Sequence, residues 1–246
     1  MSNFEQLDDL GEEPTVSGVA TAKVTDNEDP EGVGRVKVTY PFRESDDESH
    51  WARIATEMAS KEYGTFFLPE VGDEVLVAFE GGNIHHPVVI GSLYNGKRKP
   101  PFDNASGDND IRAIKSRNEH TMEFDDATTG GKVTIETAAG HTITLDDTAG
   151  AETITVEDST GDNSMTMDSV GGEVTVSADK KITLDADTIK LDGNKVDISA
   201  KNKASVSGNS GIDISSKANL KMTSNGNMKV KGTGMLTLKG ALVKIN

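Results

Sequence analysis

The sequence predicts an all-β protein, an N-terminal OB-fold barrel followed by a C-terminal trimeric intertwined β-helix, or needle. Three observations carry that prediction. Five β-rich segments crowd into residues 15–93, every aromatic residue lies at or before Phe124, and a short apolar pair recurs from Val133 to Ile245. The last 122 residues must therefore build any core from Ile, Val, Leu, Met and Ala. An ordinary globular domain is a poor fit to that half.

The barrel segments are "TVSGVATAKVT", "GRVKVTY", "WARIATE", "DEVLVAFE" and "HPVVIGSL", rich in β-branched or alternating residues. Turn-forming clusters separate them: "DNEDPEGVG", "FRESDDESH", "YGTFFLPEVG" and "GGNIHH". Five short strands suit a closed barrel, because closure removes unpaired edges. Trp51 and Phe79 are expected in its core, and Gly18, Gly34, Gly72 and Gly91 at its turns or bulges. Four regions follow: a tail over 1–13, the OB-fold domain over 14–96, a connector over 97–120 and the spike over 121–246. The connector is placed on "NGKRKPPFDNASGDND", where two consecutive prolines interrupt ladder hydrogen bonding.

Beyond the connector the apolar pairs are Val133/Ile135, Ile143/Leu145, Ile154/Val156, Met165/Met167, Val174/Val176, Ile182/Leu184, Ile189/Leu191, Val196/Ile198, Ala204/Val206, Ile212/Ile214, Leu220/Met222, Met228/Val230, Leu236/Leu238 and Val243/Ile245. Successive pairs lie 10, 11, 11, 9, 8, 7, 7, 8, 8, 8, 8, 8 and 7 residues apart. In a strand, residues i and i+2 share a face, so each pair sends two side chains to one side. A short fixed period marks a solenoid. Two inward side chains per unit cannot repay the ordering entropy of a single chain. Three chains about one axis pool six per layer, which predicts a homotrimer. The early, longer units leave room for hairpins at "DDATTGGK" and "TAAGHT", and the later ones for one strand and one corner each. With strands about 4.8 Å apart, the last units predict a shaft of roughly 40 Å.

Charge excludes several functions. The net charge is −16, and residues 177–246 hold 12 Lys and 6 Asp, so the acidity is concentrated before them. An acidic surface repels nucleic acid and anionic membranes, so no nucleic-acid partner is expected. It also fits a high-salt source. No Cys is present, which removes disulfides and thiolate sites. The acidic start "MSNFEQLDDLGEEP" is unlike a signal peptide, so synthesis in the cytoplasm is expected. "EGVGRVK" lacks P-loop spacing, the Asp/Glu clusters lack EF-hand spacing, and His85 and His86 lack a third ligand. No nucleophile motif appears. Neither catalytic residues, cofactor nor metal is expected.

"GVGRVKVTYPF" followed by "WARIATEMASKEYGTFFLPEVGDEVLVAFEGGNIHHPVVIGSLYNG" closely resembles the OB domain of phage baseplate assembly protein V and of VgrG proteins in contractile injection systems. The matching positions are Gly34, Arg35, Val36, Pro41, Trp51, Arg53, Pro69, Gly72, Val75, Phe79, Pro87, Gly91, Tyr94, Asn95 and Gly96. The octads and the ending "TLKGALVKIN" resemble the needle of the same proteins. The resemblance implies a non-enzymatic central spike that docks on a hub at the tube end and pierces a target envelope on sheath contraction. The chain has no room for a VgrG-type hub domain, so a separate hub protein is implied. So is assembly into a phage-tail-like particle that is cytoplasmic, virion-borne or released.

Some relatives end in a His-x-His iron tip, but no His follows His141. The resemblance then implies a PAAR-type tip protein on Leu242, Val243, Lys244, Ile245 and Asn246, with effectors as further partners. A solenoid carbohydrate-active enzyme would need aromatic sugar platforms, and a trimeric adhesin a secretion signal. The sequence offers neither.

Overall fold

The computed structural model describes residues 15–43 and 47–245. The tail expected over 1–13, and Asn246, lie outside the described residues. The chain divides into two units, Met1–Ile182 and Thr183–Asn246. Among the described residues no helix is long and apolar enough to cross a membrane.

The barrel is built from β1 (Val19–Asp26), β2 (Lys37–Thr39), β3 (Arg53–Ile54), β6 (Glu74–Phe79) and β7 (Pro87–Leu93), the five segments expected. A small hairpin of β4 (Ala59–Ser60) and β5 (Tyr63–Gly64) is added between β3 and β6. The sheet order is β2-β1-β6-β7-β3, antiparallel except for β3 beside β7. Closure comes from one antiparallel bridge, in which Val36 and Ala52 exchange N–H···O bonds of 3.0 and 2.7 Å. That bridge joins the two edge strands and removes the edges an open five-stranded sheet would present.

Alternation fills the interior. Val75, Val77 and Phe79 of β6 point inward and are buried, while Leu76 and Ala78 between them stay half-exposed. They meet Ala22 and Val24 of β1, Val36, Val38 and Tyr40 around β2, Ala52, Ile84 and Val89. The fully buried side chains are led by six valines, with the larger Tyr40, Phe79 and Ile84 also buried in the core. Trp51 departs from its expected core place. It is half-buried, and its neighbour Ala52 is fully buried instead. Strand alternation allows only one of two adjacent residues inside, and the closing bridge assigns that place to Ala52.

Seven further strands form one antiparallel meander in chain order: β8 (Ile111–Lys115), β9 (Thr121–Asp125), β10 (Lys132–Glu136), β11 (Thr142–Asp146), β12 (Thr153–Glu157), β13 (Ser164–Asp168) and β14 (Glu173–Ser177). β8 lies inside the stretch read as connector over 97–120. Register aligns the apolar pairs into two columns on one face. One runs Ile114, Met122, Ile135, Ile143, Val156, Met165, Val176, and the other Arg112, Phe124, Val133, Leu145, Ile154, Met167, Val174. The opposite face carries a central column of Glu123, Thr134, Thr144, Thr155, Thr166 and Thr175. β-branched threonines side by side suit a pleated face in contact with water.

Along one edge of this sheet each turn is tied to the turn two strands later. His120 Nδ1 accepts from the Ala138 N–H at 3.2 Å, and His141 Nδ1 from the Ser159 N–H at 3.1 Å. Asn163 Oδ1 repeats the contact with the Asp179 N–H at 3.3 Å.

Residues 183–245 hold no strand, and two-residue bends recur at 186–187, 193–194, 201–202, 209–210, 217–218, 225–226 and 233–234. One bend per unit is the corner the short spacing predicts. Each apolar pair from Ile189/Leu191 to Leu236/Leu238 sits inside a bend-free stretch.

Two consequences can be measured by thermal or urea unfolding. Val77→Ala removes two methyl groups from the fully buried barrel core and is expected to cost about 2 kcal/mol. His141→Ala deletes one edge tie and is expected to cost no more than about 1 kcal/mol, since the ring is at the surface.

Candidate functional site: an apolar association surface below a charge-pinned barrel

Loop 27–35 enters β2 around Asp29. The Arg35 guanidinium donates Nη2 to Asp29 Oδ1 at 2.7 Å and Nε to Oδ2 at 3.0 Å. The backbone N–H groups of Glu31, Val33 and Arg35 also donate to this carboxylate. The Asp29 side chain is only 3% exposed, so a charge taken from water is repaid by five donors. The Arg35 guanidinium beside it, aided by the backbone donors, holds the carboxyl well below the usual range. Arg35 then lies 5.9 Å from the Trp51 ring centre, with Lys37 Nζ at 5.3 Å. Both are within cation–π reach.

Arg35, Trp51, Arg53 and Pro87 line one shallow surface depression with Val33, Glu80, His85 and His86. Both arginines there are matched, Arg35 with Asp29 and Glu31 and Arg53 with Glu80, and Lys37 beside Trp51 pairs with Glu48. No uncompensated charge remains to hold an anion, and the His85 ring packs edge-on against His50. The depression braces the barrel wall.

The other motif positions are structural and lie apart from it. Pro69 is buried and its carbonyl accepts from Asn27 Nδ2. Gly72 has φ +90° and donates its N–H to the Val24 carbonyl at 2.7 Å. A side chain there would meet Arg98, which Asp73 holds beside it. Phe79 is in the core against Tyr40, and Pro87 opens β7 opposite Phe79. Gly91 adjoins a bulge: Leu76 pairs with Gly91 and Val77 with Val89, leaving Ile90 unmatched. Gly34 faces the Phe66 ring.

The barrel meets the meander through Arg117 in the β8–β9 turn, whose Nη1 donates to Glu70 Oε1 at 2.8 Å. From there on, most of the apolar pairs are exposed. Ile143, Leu145, Val156 and Val174 are 41, 42, 45 and 62% exposed on their shared face. In residues 183–245, Leu191, Ile198, Val206 and Ile214 reach 66, 82, 81 and 68%. The chain's accessible surface is 20871 Å². A compact monomer of 26.1 kDa has roughly 10,600 Å². The excess includes the exposed Ile, Leu, Val and Met side chains of the repeats, which are too many and too regular to be lone surface residues. This surface is the candidate site, and it can do one thing chemically, which is to associate.

Leu242, Val243 and Ile245, the expected tip contacts, are 73, 50 and 86% exposed, and Lys244 is exposed as well. Sequence reasoning missed the first rung, β8, and left Met122 and Phe124 of the second, β9, unpaired. The signal was present: Met122/Phe124 and Arg112/Ile114 precede Val133/Ile135 at the same spacing. It also missed His120, His141 and Asn163 as ties, though they recur at 21- and 22-residue intervals, one step per strand pair.

Two family models match. Residues 20–94 match the type VI secretion system and phage-baseplate injector OB domain, and residues 132–203 the phage baseplate V C-terminal trimerisation domain. Among characterised proteins, the type VI secretion system spike protein VgrG3 of Vibrio cholerae is 33% identical over 97 residues, covering 36% of this chain and 10% of the relative. Spike protein VgrG5 of Pseudomonas aeruginosa is 37% identical over 101 residues, covering 37% and 12%. A Vibrio cholerae actin cross-linking toxin, VgrG1, shares 73 residues at 32% identity, or 28% of this chain and 7% of the toxin. The chain thus spans a small fraction of these relatives' lengths.

Acid should test the pinned loop. Among the aspartates three are held down: Asp29 by Arg35, Asp146 at about 2 by Lys132, and Asp158 at about 2 by Asn163, and Lys37 lowers Glu48 in the same way. The aspartates' folded values lie below the ordinary 3.8, so their contribution is complete above that pH and is lost as pH falls toward 2. Asp29→Asn is expected to lower the unfolding midpoint at pH 7 and to reduce the drop between pH 4 and pH 2. Unfolding midpoints across that range check both outcomes. With the injector barrel and the trimerisation domain in this order, and together matching more than half of its residues, the chain belongs to the baseplate V and VgrG-like spike proteins of contractile injection systems.

Proposed function

We propose that this chain is the structural central spike of a contractile injection system or phage-tail-like baseplate. The observation that carries the reading is the exposed apolar register, two columns in the meander and a pair in each short unit to Ile245, behind an injector-type barrel. A surface of that kind is stable in water only when other chains cover it. Three copies wound about one axis cover it best, in keeping with the trimerisation domain over 132–203. The barrel docks on a hub protein at the tube end. The needle carries force to the target envelope when the sheath contracts, and a PAAR-type tip protein seats on Leu242, Val243, Lys244, Ile245 and Asn246. Effectors ride with the assembled particle.

The role is mechanical, in keeping with matches to relatives named spike proteins.

Sedimentation equilibrium of the full chain tests the core of this reading. The expected species is three times the chain mass, and Ile212→Asp with Ile214→Asp should shift it toward smaller species. A stable monomer, or an unaffected double variant, contradicts the reading. Copurification with tube and sheath subunits from the source cells tests the assembly.

A further inference from the structure

The barrel carries an uncovered apolar surface of its own, separate from the repeats. Hairpin β4–β5 is held to itself by two paired positions, Ala59 with Gly64 and Ser60 with Tyr63, and by the Thr65 N–H, which donates to the Met58 carbonyl at 2.9 Å. A two-stranded hairpin so short is marginal in water unless something packs against it. Between this hairpin and loop 27–35 runs a groove of about 570 Å³. Val33, Met58, Tyr63, Phe66 and Phe67 line it, and each is more than half exposed. Three aromatic rings and a methionine on one patch are more than scattered surface residues.

The chain itself leads toward this groove. Thr15 bridges Asn83, and the Val16 N–H donates to the Gly82 carbonyl at 2.8 Å. The bridge is antiparallel, so the backbone on the N-terminal side of Thr15 is directed past Ile84 toward His85. His85 lines the depression that also holds Val33, and Val33 lines the groove as well. One continuous surface therefore joins Thr15 to the aromatic patch.

Residues 1–13 have the composition to cover it. Phe4, Leu7 and Leu10 recur at every third position, and Glu5, Asp8, Asp9, Glu12 and Glu13 stand among and after them with no base. The chain from Thr15 back to Phe4 can span up to roughly 36 Å, more than the width of about 30 Å expected for a domain of roughly 80 residues. A segment tethered this close meets the groove at an effective concentration on the order of millimolar, ahead of a free partner at micromolar levels.

We propose that the groove between loop 27–35 and hairpin β4–β5 is the docking site of the chain's own N-terminal segment. Phe4, Leu7 and Leu10 lie against Tyr63, Phe66 and Phe67, and the carboxylates of the segment stay in water. The contact forms within one copy, so it does not depend on the spike reading.

The test uses the full-length chain with the photocrosslinking residue p-benzoylphenylalanine in place of Phe66 or, separately, of Phe67. Irradiation is expected to join either position to a peptide from residues 1–13 of the same chain, with no dimer on a denaturing gel. Cross-links into a second copy, or only into other parts of the barrel, overturn the proposal. Amide hydrogen exchange gives an independent reading. In the variant Phe4→Ser/Leu7→Ser/Leu10→Ser, exchange over residues 58–65 should quicken by roughly fivefold or more while β6 keeps the parent's rates, the sign of a barrel still folded. Unchanged exchange over 58–65 in that variant overturns the proposal as well.

Discussion

The structure depends on one constraint: a strand that exposes two apolar side chains and its backbone ladder groups must find a partner for both. In the barrel that partner is the chain itself. In the meander the backbone is paired within the chain, but most of the apolar columns stay outside. In residues 183–245 neither demand is met by the chain's own strands. Self-sufficiency thus falls stepwise along the sequence. The hydrophobic effect and the cost of unpaired peptide groups then act in the same direction and favour association. On the spike reading this gradient has a mechanical use, because a rod whose ladders run between chains resists bending better than three rods held by side chains alone.

The barrel solves its own problem with few resources. One bridge between Val36 and Ala52 closes it, six valines fill it, and Asp29 with Arg35 fixes the loop that leads into the closing strand. Arg35 in turn braces Trp51 from outside. The link from Glu70 to Arg117 ties this rigid body to the first turn of the meander.

The barrel strands and the apolar pairs were legible because both are written in side-chain alternation, a local property. Trp51 was misplaced because alternation states only that neighbours differ. Which of Trp51 and Ala52 faces inward is decided by the bridge to Val36, a contact 16 residues away. β8 was overlooked because Arg112 occupies an apolar place in its column, and only the register with Phe124 of β9 shows that it belongs there. The ties from His120, His141 and Asn163 reach across 16 to 18 residues to backbone N–H groups, which carry no residue signature at all.

The central claim is that the backbone of residues 183–245 is laddered to other copies of this chain. Amide hydrogen exchange of the full-length protein reads it directly. The account predicts protection comparable to that of β6 in the barrel, recurring at the apolar pairs and weakest at the bends. Exchange at the rates of a free peptide throughout those residues would contradict it.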